Sequence, residues 1–257
     1  MAFIEVGEGG PLYYETIDGD AALPCLVFLH EGLGSVAMWK DFPALLCRAT
    51  GCPGLVYDRL GYGRSAPLAA RRDSRYLHDY ALRELPRVLA RLLPGRAHAL
   101  VGHSDGGSIA LIYAAQRPAL LRAIVTEAAH VFVEQQTLDG VRQAEAAFEA
   151  GKLEGLRRYH GDKTTALFQA WSRTWLAPGF RSWSIEPLLA SIACPALIVQ
   201  GREDQYGSEA QVDAIVARAA RARKAMLEHC GHAPHQEMAQ PTLALMAAFL
   251  RAQWREG

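Results

Sequence analysis

The sequence predicts an α/β fold in which helices flank a mostly parallel sheet. Short apolar runs, each ended by a glycine or a polar turn, are typical of buried strands. Segments with apolar residues at helical spacing lie between these runs. Strands that alternate with helices along a chain form βαβ units, and the strands of such units are parallel.

Six apolar runs are the candidate strands. The first, with the sequence LPCLVFLH, stops at a glycine-rich stretch, and the last is the weakest of the six. The runs cover residues 23–30, 53–58, 97–101, 122–127, 195–200 and 225–228.

Four helices are expected to flank this sheet, over residues 76–93, 108–116, 211–222 and 242–254. In the first of them Leu82, Leu85 and Leu89 share one face. The active groups of such folds gather at the carboxyl edge of the sheet.

One region departs from the alternation of strands and helices. Residues 130–188 contain no strand-like run and are expected to form helices over 135–150, 153–159 and 164–176. An all-helical block between two sheet strands predicts a cap. The expected organisation is therefore a core domain over 1–129 and 189–257, with a helical cap over 130–188.

Composition excludes several classes of protein. Half of the 257 residues are hydrophobic, which excludes a disordered chain. Lys and Arg together number 27, as do Asp and Glu, so the basic surplus of a nucleic-acid binder is missing. The five cysteines are odd in number and form no CxxC motif, which predicts free thiols. With no signal-peptide pattern or membrane-length apolar run, we expect a soluble, cytoplasmic protein.

The strongest chemical signal is the segment GHSDGG at 102–107. It fits G-x-S-x-G, follows a predicted strand and opens a predicted helix. A serine on such a tight turn needs small neighbours and presents its hydroxyl at the sheet edge. Ser104 is therefore the predicted nucleophile.

A serine hydroxyl attacks well only when a base removes its proton. His232 follows the last strand-like run and is the predicted base, with His235 as the competitor. The imidazole in turn needs an acid that fixes its tautomer. Asp204, just after the fifth run, is the predicted acid, with Glu203 and Glu127 as alternatives.

An acyl transfer also needs hydrogen-bond donors for the oxyanion that develops. The backbone amide of Asp105 is one candidate, because it follows the nucleophile. The second is expected from the loop after the first run, where Gly32 allows a close approach of the backbone.

The chain resembles the α/β-hydrolase fold serine hydrolases along nearly its whole length. The segments that carry the resemblance are 26–35, 57–65, 101–107, 195–207 and 230–237. The resemblance implies an eight-stranded, mostly parallel sheet, a helical cap after the sixth strand and no cofactor. Order along the chain agrees, since Ser104, Asp204 and His232 follow the order of that family.

Two motifs take their meaning from this resemblance. Many members have His-Gly in the oxyanion loop where this chain has His30 followed by Glu31, so the Glu31 carboxylate is expected to point away from the oxyanion. Asp58 and Arg59 resemble a structural turn of the family and are expected to hold the fold.

Six residues are candidates for substrate binding: Glu31, Leu33, His103, Trp171, Trp175 and Tyr206. Trp171 and Trp175 share a helix face, which points either into the cap or towards a substrate. The Asp105 side chain either faces solvent or caps its helix, or else lines the pocket and favours a cationic substrate. No HExxH or nucleotide-binding glycine motif is present, so no metal or cofactor is expected.

The sequence thus predicts a serine hydrolase that cleaves a carboxylic ester or lactone, with a small ester-like molecule as its partner and a homodimer as one possible assembly. A hydrolase of carbon–carbon bonds in ring-cleavage products, a thioesterase and a cofactor-free haloperoxidase are the enzymatic alternatives. An idle hydrolase scaffold used as a binding module is the alternative outside catalysis.

Overall fold

A computed structural model describes residues 2–7, 9–68 and 72–255, and its strands form one eight-stranded sheet. The strands are β1 (Ala2–Glu5), β2 (Pro11–Ile17), β3 (Cys25–Leu29), β4 (Gly54–Tyr57), β5 (His98–His103), β6 (Leu121–Glu127), β7 (Ala196–Gly201) and β8 (Ala222–Leu227). Their spatial order is β1-β2-β4-β3-β5-β6-β7-β8. The β1–β2 and β2–β4 pairs are antiparallel and the other pairs are parallel. The predicted α/β fold class is confirmed.

Helices connect the parallel strands and close the chain. They are α1 (Phe42–Thr50), α2 (Tyr76–Asp79), α3 (Leu85–Leu92), α4 (Asp105–Ala114), α5 (Gln135–Glu149), α6 (Arg157–His160), α7 (Thr164–Leu176), α8 (Glu186–Leu189), α9 (Glu209–Val216), α10 (Pro234–Glu237) and α11 (Ala239–Arg255). A π-helical turn, Tyr80–Glu84, joins α2 to α3.

The central strands read as continuous apolar runs because helices cover both faces of the sheet. Every residue of β3 is buried, and its side chains alternate between two core layers. Val27 and Leu29 pack with the layer of α2, α3 and α4, whereas Leu26 and Phe28 pack with the layer of α1 and α11. The period of two along a strand produces this division.

The residue-level prediction missed β1, β2 and α1. In β1, partly buried and exposed positions alternate, and β2 buries only Leu12 and Tyr13. Neither strand therefore carries a continuous apolar run. The weakest predicted run, 225–228, belongs to β8, which begins at Ala222 and lies at the exposed edge of the sheet.

The expected face of the 76–93 helix is wrong at one position. Leu85 is fully buried and Leu89 nearly so, but Leu82 is 38% exposed. The π-helical turn inserts an extra residue per turn and rotates Leu82 outward, so Ala81 faces the core in its place. Pro86 accompanies this irregularity, because it lacks the N–H that a regular helix would use there.

The chain between β6 and β7 carries α5, α6, α7 and α8, and in this segment, described throughout, the only strand-type pairing is the isolated bridge between Phe132 and Ser184. Its helices pack on each other through stacked Phe148 and Phe168 rings, 4.0 Å apart. Buried His160 ties the segment to the core loops. One ring nitrogen, Nδ1, accepts from the Gly63 amide at 2.9 Å, and Nε2–H donates to the Leu33 carbonyl at 2.8 Å.

Within the described ranges, no helix has both the length and the apolar character to cross a membrane. All five cysteines are free, as expected, and four of them are buried.

Candidate active site

Ser104 lies on a strained turn between β5 and α4. Its backbone has φ 52° and ψ −115°, in a region that residues with a side chain rarely adopt. The turn closes tightly, because a Cβ at Gly106 would lie 1.9 Å from the Leu29 carbonyl oxygen, and one at Gly102 would lie 2.2 Å from the Gly106 oxygen. The glycines of the motif are therefore required by close backbone approaches, and the turn places Ser104 at the carboxyl edge of the sheet.

His232 and Asp204 form a hydrogen-bonded pair at the same edge. His232 Nδ1–H donates to Asp204, with distances of 2.8 Å to Oδ1 and 2.9 Å to Oδ2. Burial opposes ionisation of Asp204, but the neighbouring His232 outweighs it and holds the pKa of the carboxyl below its usual value. Burial likewise opposes protonation of His232, yet the Asp204 carboxylate raises the pKa of the imidazole above its usual value. The pair thus stabilises an imidazolium.

The loop that carries His232 is held by a residue that the sequence did not single out. Glu237 accepts hydrogen bonds from the Gly231 amide at 2.7 Å and the Ala233 amide at 2.9 Å. A carboxylate that binds the amides on both sides of His232 restricts the position of its ring.

The other residues that the sequence offered as base or acid do not take part in this pair. His235 Nδ1–H donates to Glu127 Oε2 at 2.6 Å, in a second, fully buried pair. Glu203 is exposed and contacts His229 at 3.4 Å. Of the predicted bases and acids, only His232 and Asp204 combine a mutual hydrogen bond with a ring that lines the same cavity as Ser104.

His103 does not line that cavity, contrary to the expectation that it binds substrate. Its ring points behind the site, where Nε2–H donates to the His232 carbonyl at 2.7 Å. Among the described residues, one group of three metal-ligating side chains occurs, formed by His103, Glu127 and His235 with ligand atoms within 4.8 Å of one another. In the structure these side chains form hydrogen bonds, which support the back of the His232 loop.

The cavity at Ser104, which we call the Ser104 cavity, has a volume of about 40 Å³. It contains five of the six predicted binding residues and also three that the prediction missed: His130, Thr137 and Val141. Its lining is Glu31, Gly32, Leu33, Ser104, His130, Thr137, Val141, Trp171, Trp175, Tyr206 and His232. Both tryptophans on the shared face of α7 therefore reach the site. His130 follows β6 at the carboxyl edge of the sheet, and this position could have identified it as a site residue from the sequence.

Two backbone amides beside Ser104 have the properties of oxyanion donors. Gly32 lies in the loop after β3, where a Cβ would come within 2.5 Å of Trp171 Nε1, so only glycine fits. Asp105 is the first residue of α4, so its amide has no hydrogen-bond acceptor within the helix. No hydrogen bond from either amide to another described residue is present.

The side chain of Asp105 neither faces solvent nor lines the Ser104 cavity, although it does lie in the first turn of α4, where an acidic residue is favoured. It is 2% exposed, and its Oδ2 accepts from the Tyr76 hydroxyl at 2.9 Å. Trp175 Nε1–H donates to the same hydroxyl at 2.9 Å. Asp105 therefore connects the start of α4 to α7 through two buried hydrogen bonds.

Glu31, whose carboxylate was expected to point away from the oxyanion, lines both the Ser104 cavity and a smaller neighbouring cavity. A tight turn follows it. The Gly34 amide donates to the Glu31 carbonyl at 3.2 Å, and a Cβ at Gly34 would lie only 2.8 Å from Glu31 Cγ. The Glu31 side chain lies against this glycine, and burial raises the pKa of its carboxyl.

Asp58 and Arg59 hold the oxyanion loop. Asp58 accepts from the Val36 amide at 2.6 Å and the Arg64 amide at 2.7 Å. The buried Arg59 guanidinium donates to the His30 carbonyl and, at 2.8 Å, to the Glu31 carbonyl. These contacts fix the backbone on which Gly32 is carried.

A family model described as “Alpha/beta hydrolase family” matches residues 26–245. The chain belongs to this family. The match contains Ser104, Asp204 and His232, together with both candidate oxyanion donors.

Individual relatives of this alpha/beta hydrolase differ in the share of the chain that aligns with them. A putative carbamate hydrolase RutD from Pseudomonas savastanoi pv. phaseolicola is 30% identical over 261 residues, covering 89% of this chain and 94% of the relative. The sn-1-specific diacylglycerol lipase ABHD11 of Mus musculus is 34% identical over 118 residues, which are 45% of this chain and 36% of the lipase. The hydrolase thus matches only about a third of the length of the mouse lipase.

Among solved structures, a protein from a study of carboxylesterases of the thaumarchaeon Nitrososphaera gargenis superposes with a TM-score of 0.80. The superposition covers 100% of both chains at 20% identity. It shows that the two proteins share the alpha/beta hydrolase fold over their full lengths.

Proposed function

We propose that this alpha/beta hydrolase cleaves a carboxylic ester or lactone through an acyl-enzyme on Ser104. The observation that carries the proposal is the position of His232. Its Nδ1–H is held by Asp204 at 2.8 and 2.9 Å, and its ring lines the same cavity as the strained Ser104. With Nδ1 engaged, the other ring nitrogen, Nε2, is the atom available to accept the serine proton.

Acylation then proceeds with each group in one role. Ser104 Oγ attacks the ester carbonyl carbon while His232 Nε2 takes the hydroxyl proton. The carbonyl oxygen becomes an oxyanion that the Gly32 and Asp105 amides stabilise, and Asp204 stabilises the imidazolium. As the carbon–oxygen bond breaks, Nε2–H protonates the departing alkoxide and the acyl group remains on Ser104.

Deacylation repeats these roles with water as the nucleophile. His232 Nε2 takes a proton from water, the hydroxide adds to the acyl carbon, and the two amides again hold the oxyanion. Collapse of the intermediate returns the proton from Nε2 to Ser104 Oγ. The products are a carboxylic acid, an alcohol and the free enzyme.

A fluorophosphonate probe tests the proposal directly, because it phosphonylates an activated serine. We expect Ser104 to be labelled in the wild-type protein, together with turnover of aryl acetates. An aryl carbamate belongs in the same panel, since a relative bears the name of a putative carbamate hydrolase. A folded wild-type protein without labelling or turnover would contradict the proposal and favour the idle scaffold.

The cavity size predicts a preference for short acyl groups. A volume of about 40 Å³ holds only a few water molecules, since one occupies roughly 10–15 Å³ on this measure. Replacing Trp171 with alanine removes an aromatic wall, so we expect the preferred aryl ester to lengthen from acetate towards butyrate or hexanoate. The measurement is kcat/KM along the acyl series. An unchanged chain-length profile would show that Trp171 does not limit the acyl group.

The shifted pKa of His232 predicts the pH profile. The base acts only when neutral, so kcat/KM should rise with pH through the pKa of His232, with an inflection above the ordinary histidine value of about 6.5. The Asp204 carboxylate attracts the proton on the His232 ring. We therefore expect the inflection to move to lower pH when the charge of Asp204 is removed. An inflection well below 6.5 in the wild-type protein would contradict this assignment.

A further inference from the structure

Glu31 is the one acidic residue in the lining of the Ser104 cavity, and the proposed mechanism does not use its carboxylate. Across the described chain, no side chain or amide donates a hydrogen bond to it. Its backbone carbonyl, by contrast, accepts from both Arg59 and His30. The loop is thus firmly held, and Glu31 lines both the Ser104 cavity and a smaller neighbouring cavity beside Trp39 and His235.

This cavity offers Glu31 no basic side chain other than histidine. Lys and Arg are absent from its lining, which is described completely. Burial, reinforced by the charge of His232, lowers the pKa of His130 and keeps that ring neutral. When His232 is neutral and ready to act as a base, Glu31 is therefore the only lining residue that can carry a full charge.

Aromatic rings form much of the remaining wall. Trp171 and Tyr206 pack edge to face at 6.4 Å between ring centroids, and Trp175 lines the same space. The faces of such rings attract cations, and most strongly where water is excluded. A carboxylate together with indole and phenol rings is a chemical environment suited to an ammonium group.

We propose that Glu31 and these rings bind an ammonium group of the substrate, so that the enzyme selects esters that carry a positive charge close to the scissile carbonyl. The inference rests on the proposed ester hydrolysis at Ser104. A carboxylate beside an oxyanion opposes the negative charge that develops there. A substrate ammonium placed between them removes this penalty and is attracted by both groups, so a cationic ester gains most in the transition state.

Two pairs of esters of nearly equal shape test the proposal. Alanine methyl ester and methyl isobutyrate differ by an ammonium or a methyl group on the acyl side. On the alcohol side, 2-(dimethylamino)ethyl acetate and 3-methylbutyl acetate make the same comparison. At pH 7 we expect wild-type kcat/KM to favour the cationic member of one pair by about 10- to 100-fold, as for a hydrogen bond to a charged group. Which pair shows the preference tells whether the enzyme binds the ammonium on the acyl side or on the alcohol side of the ester.

The Glu31→Gln variant should reverse this selectivity. We expect kcat/KM to fall for the cationic ester and to rise for its neutral partner, because the opposing charge is gone. Glu203→Gln removes an exposed carboxylate in the loop of Asp204 and is the matched control, which should retain the wild-type ratio.

Two outcomes would overturn the inference and leave the proposed function intact. In the first, the wild-type enzyme labels at Ser104 but turns over both members of each pair equally. In the second, the ratio of kcat/KM for the cationic and the neutral ester is the same in Glu31→Gln as in wild type; if kcat/KM falls equally for both esters, Glu31 only supports the loop. Failure of ester hydrolysis itself is distinguishable, because Ser104 would then neither label nor turn over any ester.

Discussion

Replacing Ser104 with alanine is expected to lower kcat/KM for an aryl acetate by about 10⁴-fold or more and to abolish fluorophosphonate labelling. The physical reason is the loss of the hydroxyl oxygen that serves as the nucleophile in the proposed mechanism. Ser104 is 8% exposed and the substitution removes only its hydroxyl oxygen, so the variant should fold normally. The measurement combines steady-state kinetics with labelling and a thermal melt.

Ser182→Ala is the matched control, because it removes an exposed serine of the segment between β6 and β7. It should label and turn over ester like the wild type. If Ser104→Ala is still labelled at the wild-type rate, a different residue is the nucleophile, and the assignment of Ser104 is overturned.

Asp204→Asn is expected to lower kcat by about 10⁴-fold while the fold is retained. An amide in this position can donate to Nδ1, which then favours the tautomer with its proton on Nε2 and removes the base. The amide also stabilises the imidazolium less than the carboxylate does. Steady-state kinetics at several pH values would measure both effects.

The second histidine–carboxylate pair supplies the comparison. Glu127→Gln weakens the buried bond to His235 in the same way, and we expect it to reduce the free energy of unfolding by about 1.5–3 kcal/mol, with a much smaller loss of kcat. The reverse result, with kcat lost in Glu127→Gln and retained in Asp204→Asn, would make His235 and Glu127 the catalytic pair.

The parts of the candidate site that the sequence located are those tied to backbone position. Ser104 follows β5 within a glycine-rich turn, Asp204 follows β7, and His232 lies in the loop after β8. Because parallel strands end at one edge of the sheet, residues that follow different strands come together there without any knowledge of side-chain packing. Gly32 and the Asp105 amide were predicted as oxyanion donors for the same reason.

The orientations of side chains were harder to predict from the sequence. Asp105 and His103 lie on either side of Ser104, yet both side chains point differently from expectation. Their directions depend on contacts distant in sequence: the Tyr76 hydroxyl for Asp105 and the His232 carbonyl for His103. No local pattern encodes such contacts.

By itself, the sequence determined the fold class, the family resemblance and the positions of the candidate nucleophile, base, acid and oxyanion amides. Apolar periodicity and glycine turns act over a few residues, so they can be read directly from the chain. Only the tertiary structure decided that His235 pairs with Glu127 and that Trp171, Trp175, His130 and Glu31 converge on one cavity. Those arrangements depend on packing between segments more than 25 residues apart, where burial and hydrogen-bond satisfaction select a single orientation for each side chain.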